Sequence, residues 1–225
     1  MLTIILAESE LEIMPREIAN HQMVASFAHQ RRKQPGCVLL DSNYHHAAMN
    51  DLEDGRRRGR PDITHLFLLT ALESVANKQG KLKIIIHTRH DDVIYVNPET
   101  RIMRNYDRFV GLIEQLFEKK IIVAEEKKLL ELHNNKTLEN VIEEEKHDFI
   151  ISLSPDGKKV DLPNYLNALK KKKHKDILCV IGGFPHGDFH SDISNYSDEI
   201  ISIYEETLTA WTVASEIIIN YNNIF

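Results

Sequence analysis

The 225-residue chain has two cysteines, one tryptophan and seven prolines. It also lacks any uninterrupted apolar stretch of the roughly 18 residues that a membrane-spanning helix needs. Two thiols cannot build a disulfide framework. Cys37 and Cys179 stand in the apolar runs GCVLL and ILCVIGG, so both are expected to be small buried residues in a reducing compartment. The opening MLTIILAESE has no basic start and no small-residue cleavage site, so neither export nor a membrane partner is expected, and a cytoplasmic location is. There is no GxGxxG and no GxxxxGK[ST], the phosphate cradles of dinucleotide and nucleoside-triphosphate enzymes. No GxSxG nucleophile element occurs either. Twelve histidines are present, including the pair in HTRHDD, but none falls in an HExxH or Cys/His zinc spacing, so no metal is expected. With 42% hydrophobic and 28% charged residues, collagen-like and disordered classes are excluded.

Charge is unevenly spread. Residues 176–225 carry eight acidic side chains and no Lys or Arg, leaving 28 basic against 26 acidic ones in the first 175 residues. Residues 56–108 hold eleven basic and six acidic side chains, many of the basic ones arginine. Guanidinium groups grip phosphate in a bidentate fork, so this window suits a polyanion, although a solvated basic surface gives the same count.

Apolar periodicity sketches the elements. Leu2 to Ala7 reads as a buried strand, Arg16 to Lys33 as a helix opened by Pro15, and CVLL at 37–40 as a second buried strand. Asp62 is a candidate N-cap for a helix that runs to Gly80. KLKIIIHT and DVIYV read as a strand pair, and a helix follows Asn105. The last third reads as strand (DFIISLS), turn (PDG), helix (LPNYLNAL), basic run (KKKKHK), strand (ILCVIGG), short strand (EIISI) and a final helix from Leu208 to Asn220. Alternating strands and helices without a linker imply one α/β domain over 1–225: a mostly parallel sheet flanked by helices, with strand and helix elements inserted around 80–145. The final helix is apolar on more than one side, fitting either an enclosed core helix or a homodimer interface.

Three groups of residues could carry chemistry. Arg101, Arg104 and Arg108 form one stripe opposite an apolar face if their helix begins near 101; if Asn105 caps it, Arg101 and Arg104 lie on the loop leading in. Such a stripe either contacts successive phosphates of a folded RNA or merely solubilises the helix. In GRRRGRPDITH, Asp62 stands one residue beyond Pro61 from Arg60, close enough to orient its guanidinium as well as to cap a helix. The run Ile177–Ile181 leads into GGFPHGDF, where Gly182, Gly183 and Gly187 allow close backbone approach at a strand end. Such loops commonly hold ligands in open α/β sheets. A nucleotide-like cofactor without a strong phosphate requirement fits better there than NAD or ATP.

RPDITH (60–65), IIIHTRHDDVIYVNPETRIMRNYDRFVGLIEQLF (84–117), VIGGFPHGDF (180–189) and ISIYEETLTAWTVASEIIINY (201–221) together resemble the EMG/NEP family. These are the small-subunit ribosomal RNA pseudouridine N1-methyltransferases of the SPOUT class, and the likeness is to archaeal-type members. It covers essentially the whole chain. It implies a SPOUT-type fold with a C-terminal trefoil knot, a homodimer, and S-adenosyl-L-methionine held by Leu153, Gly182, Gly183, Gly187 and the stretch Ile201, Ser202, Ile203, Tyr204, Glu205, Glu206 and Leu208. Thr207 departs from the proline that many relatives carry before that leucine. Arg60 and Asp62 are the expected catalytic residues, Asp62 either orienting the guanidinium or acting as a general base, and Arg60, Arg101, Arg104 and Arg108 are similar to the family's RNA-contacting positions. The implied partners are a small-subunit rRNA hairpin and the pre-ribosomal particle, the implied role small-subunit biogenesis. A non-catalytic RNA-binding assembly factor is the alternative. Nitrogen-1 of pseudouridine is mostly protonated at neutral pH, so an arginine near a uracil carbonyl would favour methyl transfer by stabilising the developing anion.

Overall fold

Strand β1 (Leu2–Ser9) forms the middle of an eight-stranded sheet in the computed structural model, which describes residues 1–225. The other strands are β2 (Leu82–Thr88), β3 (Val93–Val96), β4 (Ile121–Ala124), β5 (Lys127–His133), β6 (Phe149–Lys159), β7 (Ile177–Gly182) and β8 (Glu199–Ser202), in the order β4-β5-β3-β2-β1-β7-β6-β8. β2, β1, β7, β6 and β8 run parallel, whereas β3, β5 and β4 add an antiparallel edge. The α/β class with a mostly parallel sheet is therefore as expected, and the antiparallel strands all come from residues 93–133.

The central strands read as continuous apolar runs because both faces are covered. Alternate side chains go to different cores. Leu2, Ile4 and Leu6 join Ile84, Ile86, Cys179 and Ile181 in the larger one, while Ile5 and Ala7 join Ile85, Leu178 and Val180 in the smaller. Helices α3 (Pro61–Leu72), α5 (Tyr106–Lys119), α7 (Leu162–Lys171) and α8 (Ala210–Ile224) pack on the larger face, and α6 (Leu138–Glu144) on the smaller. α1 (Gln22–Gln30), α2 (Ser42–His45) and α4 (Val75–Lys78) complete the helices.

Several sequence expectations change. CVLL is not a strand: Pro35–Cys37 make a 3₁₀ turn and Leu39 forms only an isolated bridge to Ile13. Val38 and Leu40 bury themselves in a satellite cluster with α1 instead of in the sheet. Cys37 is consequently exposed, whereas Cys179 is enclosed and its thiol is pushed up to about 12 by burial. The helix after Pro15 starts only at Gln22, where His21 offers a ring nitrogen to the Met23 amide. Asp62 does not cap α3. Arg60 occupies the cap position and Pro61 the first turn, so Asp62 falls inside the helix and turns back to Arg60. That helix also breaks at Leu72, and Ser74 caps the separate α4.

PDG is an excursion within β6. Leu153 and Lys158 both stand opposite Ile201, so residues 154–157 arch over β8. Gly157 lies against that strand so closely that a Cβ would come within 2.6 Å of the Ile201 carbonyl carbon.

Candidate functional site

The carboxyl ends of β6, β7 and β8 open into a cavity of about 290 Å³. Leu153, Ile181 and Ile201 supply apolar wall at the strand ends, and Leu208 just before α8, with Trp211 and Val213 at its start, closes it. The loop after β7 forms a second wall with Gly182, Phe184, His186 and Gly187; the loop after β8 forms a third with Ser202, Ile203, Tyr204 and Glu206. The Ser202 hydroxyl donates to the Tyr204 carbonyl (2.7 Å), fixing the turn out of β8. Among the expected cofactor residues, Leu153, Gly182, Gly187, Ile201, Ser202, Ile203, Tyr204, Glu206 and Leu208 thus meet at one cavity. Gly183 and Glu205 are not part of its lining. Gly183 is clamped behind the wall, its N–H donating to Ala7 and its C=O accepting from Glu10; a Cβ there would stand 2.4 Å from the Ser9 hydroxyl oxygen. Glu205 points to solvent beside Lys159.

Arg60 lines the same cavity from the start of α3. Its Nε and Nη2 donate to the two Asp62 oxygens at 2.8 and 2.7 Å, a bidentate fork that fixes the guanidinium plane. Beside this fork lies a cluster that sequence reasoning missed. The Tyr106 hydroxyl donates to buried Asp41 (2.6 Å), and the Asp41 N–H donates to Nδ1 of His45 (3.1 Å). Burial raises the Asp41 carboxyl despite that hydrogen bond, and burial followed by Asp41 pushes the Tyr106 phenol far up, so Tyr106 remains a donor. Burial also pushes His45 down to about 4, keeping its ring neutral.

The three expected RNA-contacting arginines do not form one helical stripe. Asn105 caps α5 by accepting the Arg108 N–H, so only Arg108 is helical and Arg101 and Arg104 lie on the preceding loop. All three are exposed and none has a carboxylate partner. His65 of α3 donates from Nε2 to the Met103 carbonyl (2.8 Å) and stacks on Phe109 at 4.5 Å. One imidazole thereby fastens the arginine loop to the helix that begins beside Arg60.

Much of the basic window is spent internally. At and beyond the end of β1, Glu8, Glu10 and Glu12 meet Arg57, Arg58 and Arg89. Arg57 donates to Glu8 (3.1 Å), Glu10 (2.7 Å) and the Asp188 carbonyl, with its guanidinium 3.8 Å from the Phe184 ring centroid. Arg89 takes the other Glu10 oxygen (2.9 Å). Glu8 also accepts the His190 and Ser191 amides at 2.7 and 2.8 Å, tying down the loop that walls the cavity. Arg57 and Arg58 are buried, so the sequence excess overstates the positive surface. The only foretaste in the sequence is the spacing of three glutamates at every second residue.

Glu12 has a consequence for pH. Burial alone would raise its carboxyl, but the Arg58 fork (2.8 and 2.7 Å) and His90 (3.0 Å) outweigh it and hold the group below its ordinary value of 4.5. Its stabilising contribution is complete above pH 4.5 and is lost as the pH falls through the depressed folded value. Glu12→Gln should therefore melt earlier at neutral pH and show a flatter acid limb in its stability curve. An acid limb as steep as the wild type's would assign that limb to other carboxylates.

No group of His, Cys, Asp or Glu side chains is arranged to hold a metal ion, and no helix is long and apolar enough to cross a membrane. Fold and site define an α/β protein with a nucleoside-sized cavity at the ends of its parallel strands and a fixed guanidinium in its wall. Residues 4–222 match the family described as EMG1/NEP1 methyltransferase, and the chain belongs to that family. It is 48% identical to "Ribosomal RNA small subunit methyltransferase Nep1" of Methanothrix thermoacetophila over 99% of this chain and 96% of that one. Identity to the protein of the same name from Thermococcus onnurineus is also 48%, over 99% of each. The fold superimposes on the crystal structure of Archaeoglobus fulgidus Nep1 bound to S-adenosylhomocysteine with a TM-score of 0.86 at 32% identity, covering 99% of this chain and 97% of the other.

Proposed function

We propose that the protein transfers a methyl group from S-adenosyl-L-methionine to nitrogen-1 of a pseudouridine in small-subunit rRNA, as a step in small-subunit biogenesis. The observation that carries this reading is the meeting of Arg60 with the strand-end loops at one cavity. The cavity suits the donor. Its apolar strand-end wall fits a nucleobase, and Asp188 and Glu206 in the lining favour a ligand whose sulfonium and ammonium groups are cationic. Leu153, Gly182, Gly187, Ile201, Ser202, Ile203, Tyr204, Glu206 and Leu208 would hold it, with Gly183 and Glu205 acting from behind and outside. The bound donor supplies an electrophilic methyl group.

The remaining chemistry belongs to the chain. Loss of the N1 proton to solvent water leaves negative charge shared with the uracil carbonyls, and the deprotonated N1 would take the donor's methyl group, whose bonding electron pair stays on the sulfur. Arg60, held by Asp62, meets that charge with a fixed cation. Asp62 is occupied by both Arg60 donors and serves as a positioning residue. Arg101, Arg104 and Arg108 grip the rRNA hairpin around the target, which must leave its stack to reach the donor.

The knot and the dimer belong to the same proposal. The arch of residues 154–157 over Ile201, with both of its ends opposite that residue, supports a threaded C-terminal segment. Leu66 of α3 and Ile219 of α8 expose apolar side chains on two helices that pack against each other, which supports a second copy of the chain as partner. A pre-ribosomal particle in the cytoplasm is the proposed setting.

Incubation with methyl-labelled S-adenosylmethionine and short rRNA hairpins carrying uridine or pseudouridine at the target tests the reading. Label is expected only in the pseudouridine hairpin. Equal labelling of both would overturn the N1 assignment. Tight hairpin binding without labelling of either would instead favour an RNA-binding assembly factor.

A further inference from the structure

A second depression, a groove of about 780 Å³, lies on the far side of the 186–187 strip from the cofactor cavity. His186 and Gly187 belong to both. The groove has one wall from the segment between Ser42 and Arg57 and another from the loop that ends at His190. The walls are tied at three points: His186 Nε2 donates to the Arg56 carbonyl (3.2 Å), Arg57 donates to the Asp188 carbonyl, and His190 stands 3.8 Å from Asp54. The groove is therefore built into the fold.

Its lining differs from that of the cofactor cavity. Met49 and Leu52 are its hydrophobic residues and both are buried, while the rim carries His46, Asn50 and Arg56, all exposed. Two of the charged lining residues are paired within the chain, Arg57 with Glu8 and Glu10 and the exposed Asp54 with Arg89. Arg56 alone of the GRRRGR arginines has no carboxylate partner: Arg57, Arg58 and Arg60 are each held by one or more. The His46 ring makes no hydrogen bond within the chain and lies at the end of α2, whose Tyr44 reaches Asp107 at the start of α5 (3.4 Å). The groove thus lies across α2 from the Arg101–Arg108 surface and shares the His186–Gly187 wall with the cofactor cavity.

We propose that this groove holds a single-stranded RNA nucleotide flanking the target, its phosphate on Arg56 and its base against the imidazole of His46. The proposal rests on the methyltransferase reading above and extends it by giving the strand a second anchoring point beyond Arg60. A polar open rim with one uncompensated guanidinium suits the phosphate and base of a nucleotide, and the groove lacks the exposed apolar surface that an acyl chain or an apolar peptide would need.

The test uses the full-length protein, the pseudouridine hairpin and S-adenosylmethionine, with Arg56→Glu and His46→Ala. Both side chains are exposed, and neither participates in the buried ion-pair network. Arg56→Glu is expected to weaken hairpin binding about tenfold or more and to reduce the slope of log K against log salt by roughly one, as for the loss of one phosphate contact. His46→Ala is expected to weaken binding about tenfold with the salt slope unchanged, since stacking carries no counterion release. Calorimetric affinity for S-adenosylmethionine and kcat at saturating hairpin should match the wild type in both. Wild-type hairpin affinity and salt slope in both variants would overturn the groove assignment. So would a loss of S-adenosylmethionine affinity in Arg56→Glu, because the groove would then belong to the cofactor loop. Failure of the wild type itself to methylate the hairpin counts against the parent reading, which that control reports separately.

Discussion

Replacing Arg60 with alanine is expected to lower kcat for methylation of the pseudouridine hairpin by about 10²–10³, the loss seen when a single preorganised donor to a developing anion is removed. On the proposed reading, in which the guanidinium is held by Asp62 and serves the acceptor base, the affinity for S-adenosylmethionine should barely change. The melting temperature should also stay close to the wild type's. The Arg60 and Asp62 side chains are each about 30% exposed, and surface pairs of this kind contribute about 0–1 kcal/mol. Asp62→Asn keeps one acceptor for the fork and should lose less rate than Arg60→Ala. Arg60→Lys keeps the charge but not the fork, so it should resemble alanine more than wild type. Single-turnover rates at saturating hairpin separate the possibilities. A full loss in KM with kcat intact would move Arg60 from the reacting base to the phosphate track.

The parallel core was legible because its strands are buried on both faces: KIIIHT and ILCVIGG can be little else when helical patterns follow them. The same logic misplaced CVLL: Val38 and Leu40 are satisfied by α1, and Leu39 reaches the main core through its side chain while its backbone makes only an isolated bridge, since burial does not by itself specify which neighbour provides it. The strand-end loops were legible as a site because glycines cluster after an apolar run, yet glycine has two reasons to be there. Gly182 and Gly187 border the cavity, whereas Gly183 is required by Ser9 behind it, a residue 174 positions earlier in the chain. Charge was the least transparent feature. Arg57 and Arg58 belong to the same short run as Arg56 and Arg60, but Glu8, Glu10 and Glu12, nearly fifty residues away, take them out of solvent. Helix register was the remaining uncertainty for the arginine surface. The side chain of Asn105 resolves it by capping α5, which leaves Arg101 and Arg104 on a loop held by His65.

Arg57→Ala is expected to be the most destabilising single change in this region. The substitution leaves Glu8 and Glu10, both almost wholly buried, short of a cation, and removal of one partner from a buried pair costs about 3–5 kcal/mol. For a chain of this size that corresponds to a fall in Tm of roughly 6–20 °C, at about 2–4 °C per kcal/mol. Arg89 still reaches Glu10, and two backbone amides still reach Glu8, so the fold should survive at low temperature. The functional signature distinguishes this residue from an ordinary core position. Arg57 lies against Phe184 and holds the Asp188 carbonyl, so its loss frees the loop that carries Gly187 and walls the cofactor cavity. S-adenosylmethionine affinity should therefore drop well below the melting point, while hairpin binding through Arg101, Arg104 and Arg108 persists. Arg57→Ala combined with Glu8→Gln and Glu10→Gln should recover part of the lost stability, because the uncompensated charge is gone, but not the cofactor affinity, because the loop remains unanchored. Recovery of both by the triple variant would mean that charge balance alone, and not the guanidinium bridge to the loop, organises this side of the cavity.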